Sequence, residues 1–265
     1  NTFASGVISP AGLAFDSAGH LFVADAYSGD IYKFDPDGER STFASGLMSP
    51  QGLAFDQAGN LYVANAGPFG LNSTISKITP SGELSTFASG LNGLQGLAFD
   101  SAGNLFAAGG NSGRIYKITP DGTPSTFALG LAYPLGLAFN SAGHLFASDF
   151  YSANIYEFTP DGTRSTFVSA AVYSRGLAFD SAGDLFQVAS YDGVIYRFSP
   201  SGVQSTFTSG LATPTYLAFQ AVPEPTPLHL VGLSGLSLMI FGAVFQKPQP
   251  KKPHAVNPGA TGQPG

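Results

Sequence analysis

Short apolar runs of about four residues recur along this chain, separated by turns rich in Gly, Asp and Pro. The first run of each group reads Gly-Leu-Ala-Phe and the second is of the Leu-Tyr-Val-Ala type. Both are apolar at consecutive positions, which is typical of inner strands covered on both faces. The third and fourth runs, such as residues 75–78 and 85–88, mix apolar positions with Lys, Glu, Arg or Thr. They predict strands nearer to solvent, so each group predicts four antiparallel strands.

These groups recur at a nearly constant interval of 40, 44, 40, 40 and 40 residues. Each begins with the glycine of the first run, which Tyr replaces in the last group: Gly12, Gly52, Gly96, Gly136, Gly176 and Tyr216. A period near 40 with four strands per unit predicts an all-β fold, a β-propeller in which each unit is one blade. Because the repeat determines most residues, function is expected where the units differ.

The strand count predicts five complete blades and a sixth built from both chain ends. First strands occur six times, and so do fourth strands if residues 2–4 are included, whereas second and third strands occur five times. Three ways of completing the ring remain open. Two strands are encoded upstream of Asn1, the apolar segment after Val222 folds back, or a neighbouring molecule supplies strands.

The composition bounds the remaining possibilities. Six units near 40 residues fill about 240 of the 265, so residues 1–221 are predicted to form the propeller with no second globular domain. The net charge is −6 and no basic block lies inside the repeats, so a nucleic-acid partner is not expected. The chain has no Cys, which excludes disulfides and thiolate metal sites.

A different composition begins after residue 221. Residues 222–246 combine a short motif with an apolar run over 228–245, and residues 247–265 form a Pro-, Gly- and Lys-rich extension that we expect to be flexible. The motif consists of Val222, Pro223, Glu224 and Pro225. The run approaches the length of a membrane-spanning helix and has Lys at one flank, so it predicts membrane contact at least transiently. The alternative is that it packs on the propeller.

The repeating unit resembles NHL-repeat propellers. The matching segments are Gly-Leu-Ala-Phe-Asp, the strand at residues 60–65, and Ile-Tyr-Lys-Phe followed by Pro-Asp-Gly. The resemblance covers residues 1–220 and implies six blades. That family includes scaffolds, binders of protein and carbohydrate, and some enzymes, so the fold by itself does not choose a function.

The order Pro-Glu-Pro, apolar run and basic cluster resembles the PEP-CTERM sorting signal of exported proteins in Gram-negative bacteria. The resemblance implies export to the cell surface, transient membrane anchoring and processing by an exosortase-type enzyme. Two features depart from that pattern. The basic cluster is Lys spaced by Pro and Gln, and the chain continues to Gly265.

Two sets of positions are expected around one end of the central channel of a propeller. The first set closes each second strand and reads Asp25, Asn65, Gly109, Asp149 and Ala189. Asp25, Asn65 and Asp149 carry hard oxygen donors that would suit Ca²⁺ if they converged. The alternative is that each one caps the loop that follows it.

The second set, which we call the mouth ring, precedes each first strand and reads Ala11, Gln51, Gln95, Leu135, Arg175 and Thr215. Gln51, Gln95 and Arg175 are its candidate ligand-binding residues. The longer second unit adds four residues to a loop that contains Phe69, and Tyr151 and Tyr191 occupy equivalent loops. Aromatic rings around a channel suit sugars or peptides, although they could also simply cover the loop bases.

No catalytic residue is predicted. His20 and His144 occupy turns expected on the opposite face, and no Ser-His-Asp spacing, phosphate loop or His-pair zinc motif is present. The preferred function is an exported, surface-associated, non-catalytic propeller without a resident cofactor. Its partners would be extracellular polysaccharide, protein or copies of itself. The alternative is a metal-dependent hydrolase or lyase at the channel mouth, similar to lactonase propellers, with Asp25, Asn65 and Asp149 as its only available ligands.

Overall fold

Five four-stranded antiparallel sheets form the body of the protein, which confirms the predicted propeller with five complete blades. The computed structural model describes residues 6–169, 171, 173–220 and 237–241. In each sheet the strands lie in chain order, so the first strand is at one edge and the fourth at the other.

The strands of the five blades have closely similar lengths. Blade 1 contains β1 (Pro10–Phe15), β2 (Leu21–Asp25), β3 (Asp30–Phe34) and β4 (Arg40–Ala44). Blade 2 contains β5 (Pro50–Phe55), β6 (Leu61–Asn65), β7 (Ser73–Ile78) and β8 (Leu84–Leu91). Blade 3 contains β9 (Leu94–Phe99), β10 (Leu105–Gly109), β11 (Arg114–Ile118) and β12 (Pro124–Ala128). Blade 4 contains β13 (Pro134–Phe139), β14 (Leu145–Asp149), β15 (Asn154–Phe158) and β16 (Arg164–Ser169). Blade 5 contains β17 (Ser174–Phe179), β18 (Leu185–Ala189), β19 (Val194–Phe198) and β20 (Gln204–Thr208). Short 3-10 helices lie at Pro68–Gly70 and Gly110–Ser112.

The first strands line the centre of the molecule. Each packs against the first strand of the next blade, and β21 (Tyr216–Gln220) packs between β17 and β1. This contact joins the fifth blade to the first. The second strands are buried along their whole length, and the fourth strands carry the exposed Ser-Thr pairs, as the hydrophobic pattern predicts.

The sixth blade built from both chain ends is not shown by the described residues. Strand β21 pairs in antiparallel register with β22 (Ser237–Phe241), which comes from the apolar run after Val222. This is the second of the three closures considered above. Residues 2–4, the predicted fourth strand of this blade, lie outside the described residues. So do Val222, Pro223, Glu224 and Pro225 and most of the run over 228–245.

The predicted membrane contact of that run is therefore untested over most of its length. Its residues 237–241 form a strand. No helix in the described part of the chain has the length and apolar character needed to cross a bilayer.

Groups of three aromatic rings in edge-to-face contact lie at the interfaces between neighbouring blades. In the first of them the ring of Phe22 lies 4.9 Å from Phe43 of its own blade and 5.0 Å from Phe55 of the next. The same triad is built on Tyr62, Phe106, Phe146 and Phe186. Such pairs contribute about 0.5–1.5 kcal/mol beyond burial. The Phe of the Gly-Leu-Ala-Phe segment therefore makes the inter-blade contact, and the Phe of the Ser-Thr-Phe segment packs on the same central ring within its own blade.

A β-bulge lies near the start of every complete first strand. In blade 1 the register with β2 shifts between Pro10 and Leu13, and in blade 4 the register with β14 shifts between Pro134 and Leu137. The residue of the mouth ring falls inside the bulge each time. Because a bulged residue leaves the regular ladder, its side chain can turn towards the end of the channel.

Candidate functional site

A cavity of about 190 Å³ lies at one end of the central channel. Its lining contains every residue of the mouth ring, together with Ser9, Pro10, Ala26 and Tyr216. Sequence positions separated by roughly one repeat are therefore brought together in space. We call this the mouth cavity.

The glycines of the first strands set the position of the mouth ring. A Cβ on Gly12 would clash with the carbonyl oxygen of Gln51, and one on Gly136 would clash with that of Arg175. Neither glycine has a positive φ, so close approach of the next blade, and not backbone conformation, requires glycine here. The glycine of one blade thus fixes the mouth-ring residue of the next.

Among the described residues, Arg175 is the one charged side chain that lines the mouth cavity. It is half-buried, its Nε atom is buried without a hydrogen-bond partner, and none of the ion pairs among the described residues includes it. Its guanidinium lies 5.6 Å from the ring centroid of Phe150, and its carbonyl oxygen accepts a 2.6 Å hydrogen bond from Ser148 Oγ. A cation held this way, without a protein carboxylate, is available to an anionic or carbonyl oxygen of a ligand.

The two glutamines supply neutral donors and acceptors. Gln51 Nε2 makes long contacts with Ser49, at 3.4 Å to its carbonyl oxygen and 3.3 Å to its hydroxyl. Gln95 lies beside the ring of Tyr133, since a Cβ on Gly110 would be 3.3 Å from Gln95 Cγ and 3.1 Å from that ring. Gln51 and Gln95 therefore keep most of their hydrogen-bonding capacity for a molecule in the cavity.

Tyr216 separates the mouth cavity from a second cavity of about 300 Å³ along the channel axis, since it lines both. Burial raises the pKa of Tyr216 to about 12, against a smaller lowering by the Arg175 guanidinium, and Tyr133 adds to the rise. The phenol is therefore neutral at physiological pH and can donate a hydrogen bond. Tyr216 and Arg175 both line the mouth cavity.

The carboxylates of Asp25 and Asp149 accept hydrogen bonds from backbone N–H groups of nearby loops. The Asp25 carboxylate accepts N–H bonds from Ile8 and Ser9 at 2.9 and 3.2 Å, and from Tyr27 and Ser28 in the following loop. Burial raises the pKa of Asp25, but these four backbone donors together outweigh it and hold the pKa below its ordinary value. The loop-capping alternative therefore describes Asp25.

The other two candidate calcium ligands, Asn65 and Asp149, also form hydrogen bonds within the protein. Asp149 accepts the N–H groups of Ala132 and Tyr133 at 2.8 and 2.6 Å. Asn65 Nδ2 donates to Thr74 and Ser76, and its Oδ1 has no partner. Ca²⁺ takes six to eight oxygen ligands, and no group of three or more His, Cys, Asp or Glu side chains suited to a metal occurs in the described residues. Asp25, Asn65 and Asp149 do not fit a shared calcium site.

A cluster of aromatic rings on blades 4 and 5 contacts Arg175 through Phe150. It contains Tyr133, Phe150, Tyr151, Tyr173 and Tyr191, none of which lines the mouth cavity itself. Two of the predicted ligand-binding residues, Tyr151 and Tyr191, are thus connected through Phe150. Phe69 is separate, because its side chain is 96% exposed and, within the described residues, no ring contact joins it to the cluster.

The two histidines within the described residues, His20 and His144, lie away from the mouth cavity. His20 Nδ1 pairs with Asp16 at 2.8 Å in the first turn of blade 1, and His144 Nδ1 pairs with Glu157 at 2.7 Å in blade 4. Neither lines either cavity.

Three residues that belong to the site were not singled out from the sequence. Ser148 replaces the Ala found at the same strand position as Ala24, Ala64 and Ala108. Tyr216 replaces a repeat glycine, and Tyr133 has no counterpart of its own size in blades 1 and 2, where Ser9 and Ser49 occupy its place. All three depart from the repeat, which is the signal that could have found them.

Solved structures with the same fold are numerous, although no protein-family model and no curated protein matches the chain. Virginiamycin B lyase from Staphylococcus aureus is 18% identical, with a TM-score of 0.65 over 80% of this chain and 75% of that one. A gluconolactonase from Xanthomonas campestris is 19% identical, with a TM-score of 0.72 over 82% of each. Regucalcin from Agrobacterium tumefaciens, a calcium-binding protein, is 14% identical, with a TM-score of 0.69 over 82% of this chain and 80% of that one. At this identity the likeness establishes the β-propeller fold.

The comparisons overturn the preference for a non-catalytic scaffold. Several similar solved structures are enzymes, among them lyases acting on virginiamycin B or streptogramin B and a gluconolactonase. The alternative function, a lyase or lactonase, is therefore taken up below as a proposal.

Proposed function

We propose that this protein is an enzyme that opens a cyclic ester, by hydrolysis or by elimination, in the mouth cavity. The observation that carries the proposal is Arg175, a half-buried cation in a cavity of about 190 Å³ with no carboxylate partner among the described residues. The activities named for similar propellers, virginiamycin B lyase and gluconolactonase, support the same reaction class.

Both reactions place negative charge where Arg175 can stabilise it. In hydrolysis a water oxygen bonds to the ester carbonyl carbon, and the carbonyl oxygen becomes an oxyanion. The ring C–O bond then breaks, and the departing alkoxide takes a proton to give a hydroxy acid. In elimination a proton leaves the carbon adjacent to the carbon that bears the ester oxygen, a C=C bond forms between those two carbons, and the bond to the ester oxygen breaks, so that its electron pair leaves with the carboxylate. Arg175 would donate to those oxygens, and the neutral phenol of Tyr216 would add a donor.

Each of these steps needs a proton acceptor. The lining of the mouth cavity contains Ser, Thr, Gln, Arg and Tyr but no His, Asp or Glu among its described residues. Water or hydroxide from solvent would therefore take the proton in this proposal. Arg175 and Tyr216 act as the groups that stabilise charge.

The metal in the alternative function does not fit the residues first considered for it. A calcium-binding neighbour favours Ca²⁺, but the oxygens of Asp25 and Asp149 already accept backbone N–H groups. No step of the proposed reaction passes through a metal.

Export to the cell surface remains part of the proposal. Its support is the motif Val222-Pro223-Glu224-Pro225, followed by the apolar run and Lys residues, which resembles a PEP-CTERM signal processed by an exosortase-type enzyme. The NHL-type repeat at residues 1–220 is likewise proposed. Fractionation of the source cells, with a Pro223→Ala and Pro225→Ala double variant as control, would test export, and unchanged surface delivery of that variant would contradict it.

The enzyme proposal is tested with a panel of lactones analysed by mass spectrometry. Hydrolysis adds one water to the substrate, whereas elimination leaves its mass unchanged and creates an absorbing C=C bond. We expect Arg175→Gln to lower kcat by roughly 100-fold or more, since loss of one oxyanion donor commonly costs that much. Arg114→Gln, which changes an exposed Arg of β11, is the matched control. Wild-type turnover in Arg175→Gln, or no opening of any lactone, would reject the proposal.

A further inference from the structure

The five rings of the aromatic cluster form one continuous surface beside Arg175. The ring of Phe150 lies 5.2 Å from Tyr151, 5.8 Å from Tyr173 and 6.2 Å from Tyr191. Tyr133 lies 5.2 Å from Tyr151, and Tyr173 lies 4.6 Å from Tyr191. The Arg175 guanidinium packs on Phe150, so the cation and the rings belong to one unit.

Packing within the fold does not account for this surface. Tyr151 and Tyr191 remain 70% and 66% exposed although they contact other rings. Tyr27, in the equivalent loop of blade 1, is 79% exposed, and within the described residues no ring contact joins it to another aromatic. A contiguous exposed aromatic surface on a protein is typical of a binding site.

Unpaired polar atoms concentrate in the same two blades. Five described residues have buried side-chain atoms without a hydrogen-bond partner, and four of them lie in blades 4 and 5: Ser152, Ser174, Arg175 and Gln187. Ser152 follows Tyr151 in the chain, and Ser174 follows Tyr173. Ser174 is completely buried. Since buried polar groups are normally hydrogen-bonded, these atoms indicate that partners of another kind, water or ligand, complete this region.

We propose that the aromatic cluster and Arg175 together bind a sugar ring that carries a carboxylate, as a uronic acid does. This inference rests on the proposed lactone-opening function and names its product class, since opening the lactone of a uronic acid releases the carboxylate that Arg175 then holds. The C–H face of a pyranose stacks on Tyr151 and Tyr191, and its carboxylate pairs with the Arg175 guanidinium.

The polar character of the surface favours a sugar over a flat aromatic ligand. Four of the five rings are tyrosines, whose hydroxyls can pair with the hydroxyls of a sugar. A sugar ring supplies hydroxyls to these groups, whereas an aromatic hydrocarbon would leave them unpaired at a cost.

The size of the site suits one ring at a time. The mouth cavity, at about 190 Å³, is smaller than the roughly 300–1,000 Å³ of sites for drug-sized ligands. One acidic ring beside Arg175, with further rings of an oligosaccharide along Tyr151 and Tyr191, matches this arrangement.

Binding can be followed directly, because the chain contains 11 Tyr and no Trp. Tyrosine fluorescence of the full chain is titrated with a trisaccharide of galacturonic acid, with the neutral galactose trisaccharide as control and benzoate as the aromatic carboxylate. Calorimetry then measures the variants. We expect the acidic trisaccharide to bind at least 10-fold more tightly than the neutral one, and Arg175→Gln to remove that preference.

The exposed tyrosines provide a matched pair of variants. Tyr191→Ala and Tyr151→Ala should each weaken binding of the acidic trisaccharide about 10-fold, since stacking is lost, whereas Tyr27→Ala should leave it unchanged. Equal binding of the neutral sugar, tighter binding of benzoate, or the same loss in Tyr27→Ala would each overturn the sugar assignment. Uronate binding without lactone turnover would support this site and reject the proposed reaction. Lactone turnover without uronate binding would do the reverse.

Discussion

The carboxylate of Asp149 accepts the backbone N–H of Tyr133 at 2.6 Å. Asp25 makes the corresponding bond to Ser9 in blade 1. In the blades without an aspartate at this position, the residue that corresponds to Tyr133 adopts a positive φ, at Ser49, Gly93 and Tyr173. The aspartate thus selects the loop conformation that carries Tyr133 towards Gln95 and the aromatic cluster.

We expect Asp149→Ala to destabilise the protein by about 1–3 kcal/mol, because it leaves the N–H groups of Ala132 and Tyr133 without their acceptor. Urea unfolding measures the change. Asp192→Ala, at an exposed aspartate beside Tyr191, is the control and should lie within about 0.5 kcal/mol of wild type. A loss in Asp149→Ala no larger than in this control would contradict the role assigned to Asp149.

Asp25 makes stability depend on pH at the acid end. Its folded-state pKa lies below the ordinary value of 3.8, because four backbone donors outweigh the opposing effect of burial. The stabilisation is therefore complete above about pH 3.8 and is lost as the pH falls through the lower folded-state pKa. The difference in unfolding free energy between wild type and Asp25→Asn should shrink over that interval. Asp37→Asn, at an exposed turn, serves as control, and a difference that does not change with pH would refute the prediction.

Ser148 should be a positioning residue for Arg175. Its hydroxyl accepts the Gly136 N–H at 2.8 Å and donates to the Arg175 carbonyl oxygen, which connects blade 4 to blade 5. Ala occupies this position in three other blades, so Ser148→Ala fits sterically while leaving two buried backbone groups unpaired. We expect a loss of about 1–3 kcal/mol in stability.

A positioning role also predicts a kinetic effect that a purely structural role would not. If Ser148→Ala shifts Arg175, kcat for lactone opening should fall while KM changes little, and Ser148→Thr should restore part of it. Ser141→Ala, in an exposed turn of the same blade, should match wild type in both stability and kcat. Loss of stability without any change in kcat would remove Ser148 from the site.

Tyr216 should titrate well above the ordinary range of a tyrosine. Its pKa of about 12 predicts that its phenol stays protonated beyond the ordinary value of about 10. The folded-state pKa is raised, so the linked stability is complete below about pH 10 and is lost as the pH rises towards 12. Ultraviolet titration of wild type against Tyr216→Phe should place the missing ionisation in this interval. An ionisation near pH 10 that disappears in the variant would show that the hydroxyl is not buried.

Calcium should not stabilise the described fold through Asp25, Asn65 and Asp149. At about 5 mM, above the range of weak extracellular calcium sites, we expect the same Tm as in NaCl of equal ionic strength. An increase in Tm that Asp149→Asn abolishes would restore these residues as ligands.

The blades could be predicted because four strands recur at a fixed period, and the mouth ring followed because it lies where each first strand begins. The role of Asp149 could not be chosen from the sequence, since its acceptor bonds go to Ala132 and Tyr133, 17 and 16 residues earlier in the chain. Either a metal or a backbone N–H would explain a buried carboxylate, and only the geometry distinguishes them.

The closure of the ring was also undetermined. An apolar run without clear period-2 alternation is compatible with a membrane helix as well as with a strand such as β22, and its pairing with β21 depends on an edge that the fold creates. The aromatic cluster was seen in part, through Tyr151 and Tyr191. Tyr173 and Tyr133 join it through ring contacts, at 4.6 Å to Tyr191 and 5.2 Å to Tyr151, that sequence spacing does not reveal.

The junction between blade 5 and β21 is packed less closely than the four junctions between the first strands of complete blades. At four junctions the first-strand glycine sits so close to the next blade that an added methyl group would overlap a carbonyl oxygen, but beyond Gly176 that oxygen, of Thr215, would be 3.1 Å away. Arg175 borders this looser joint. A backbone hydrogen bond from the Gly176 N–H to the Thr215 carbonyl oxygen, at 3.1 Å, crosses this joint, so pairing as well as packing holds the closing strand directly beside the guanidinium that is proposed to receive a ligand.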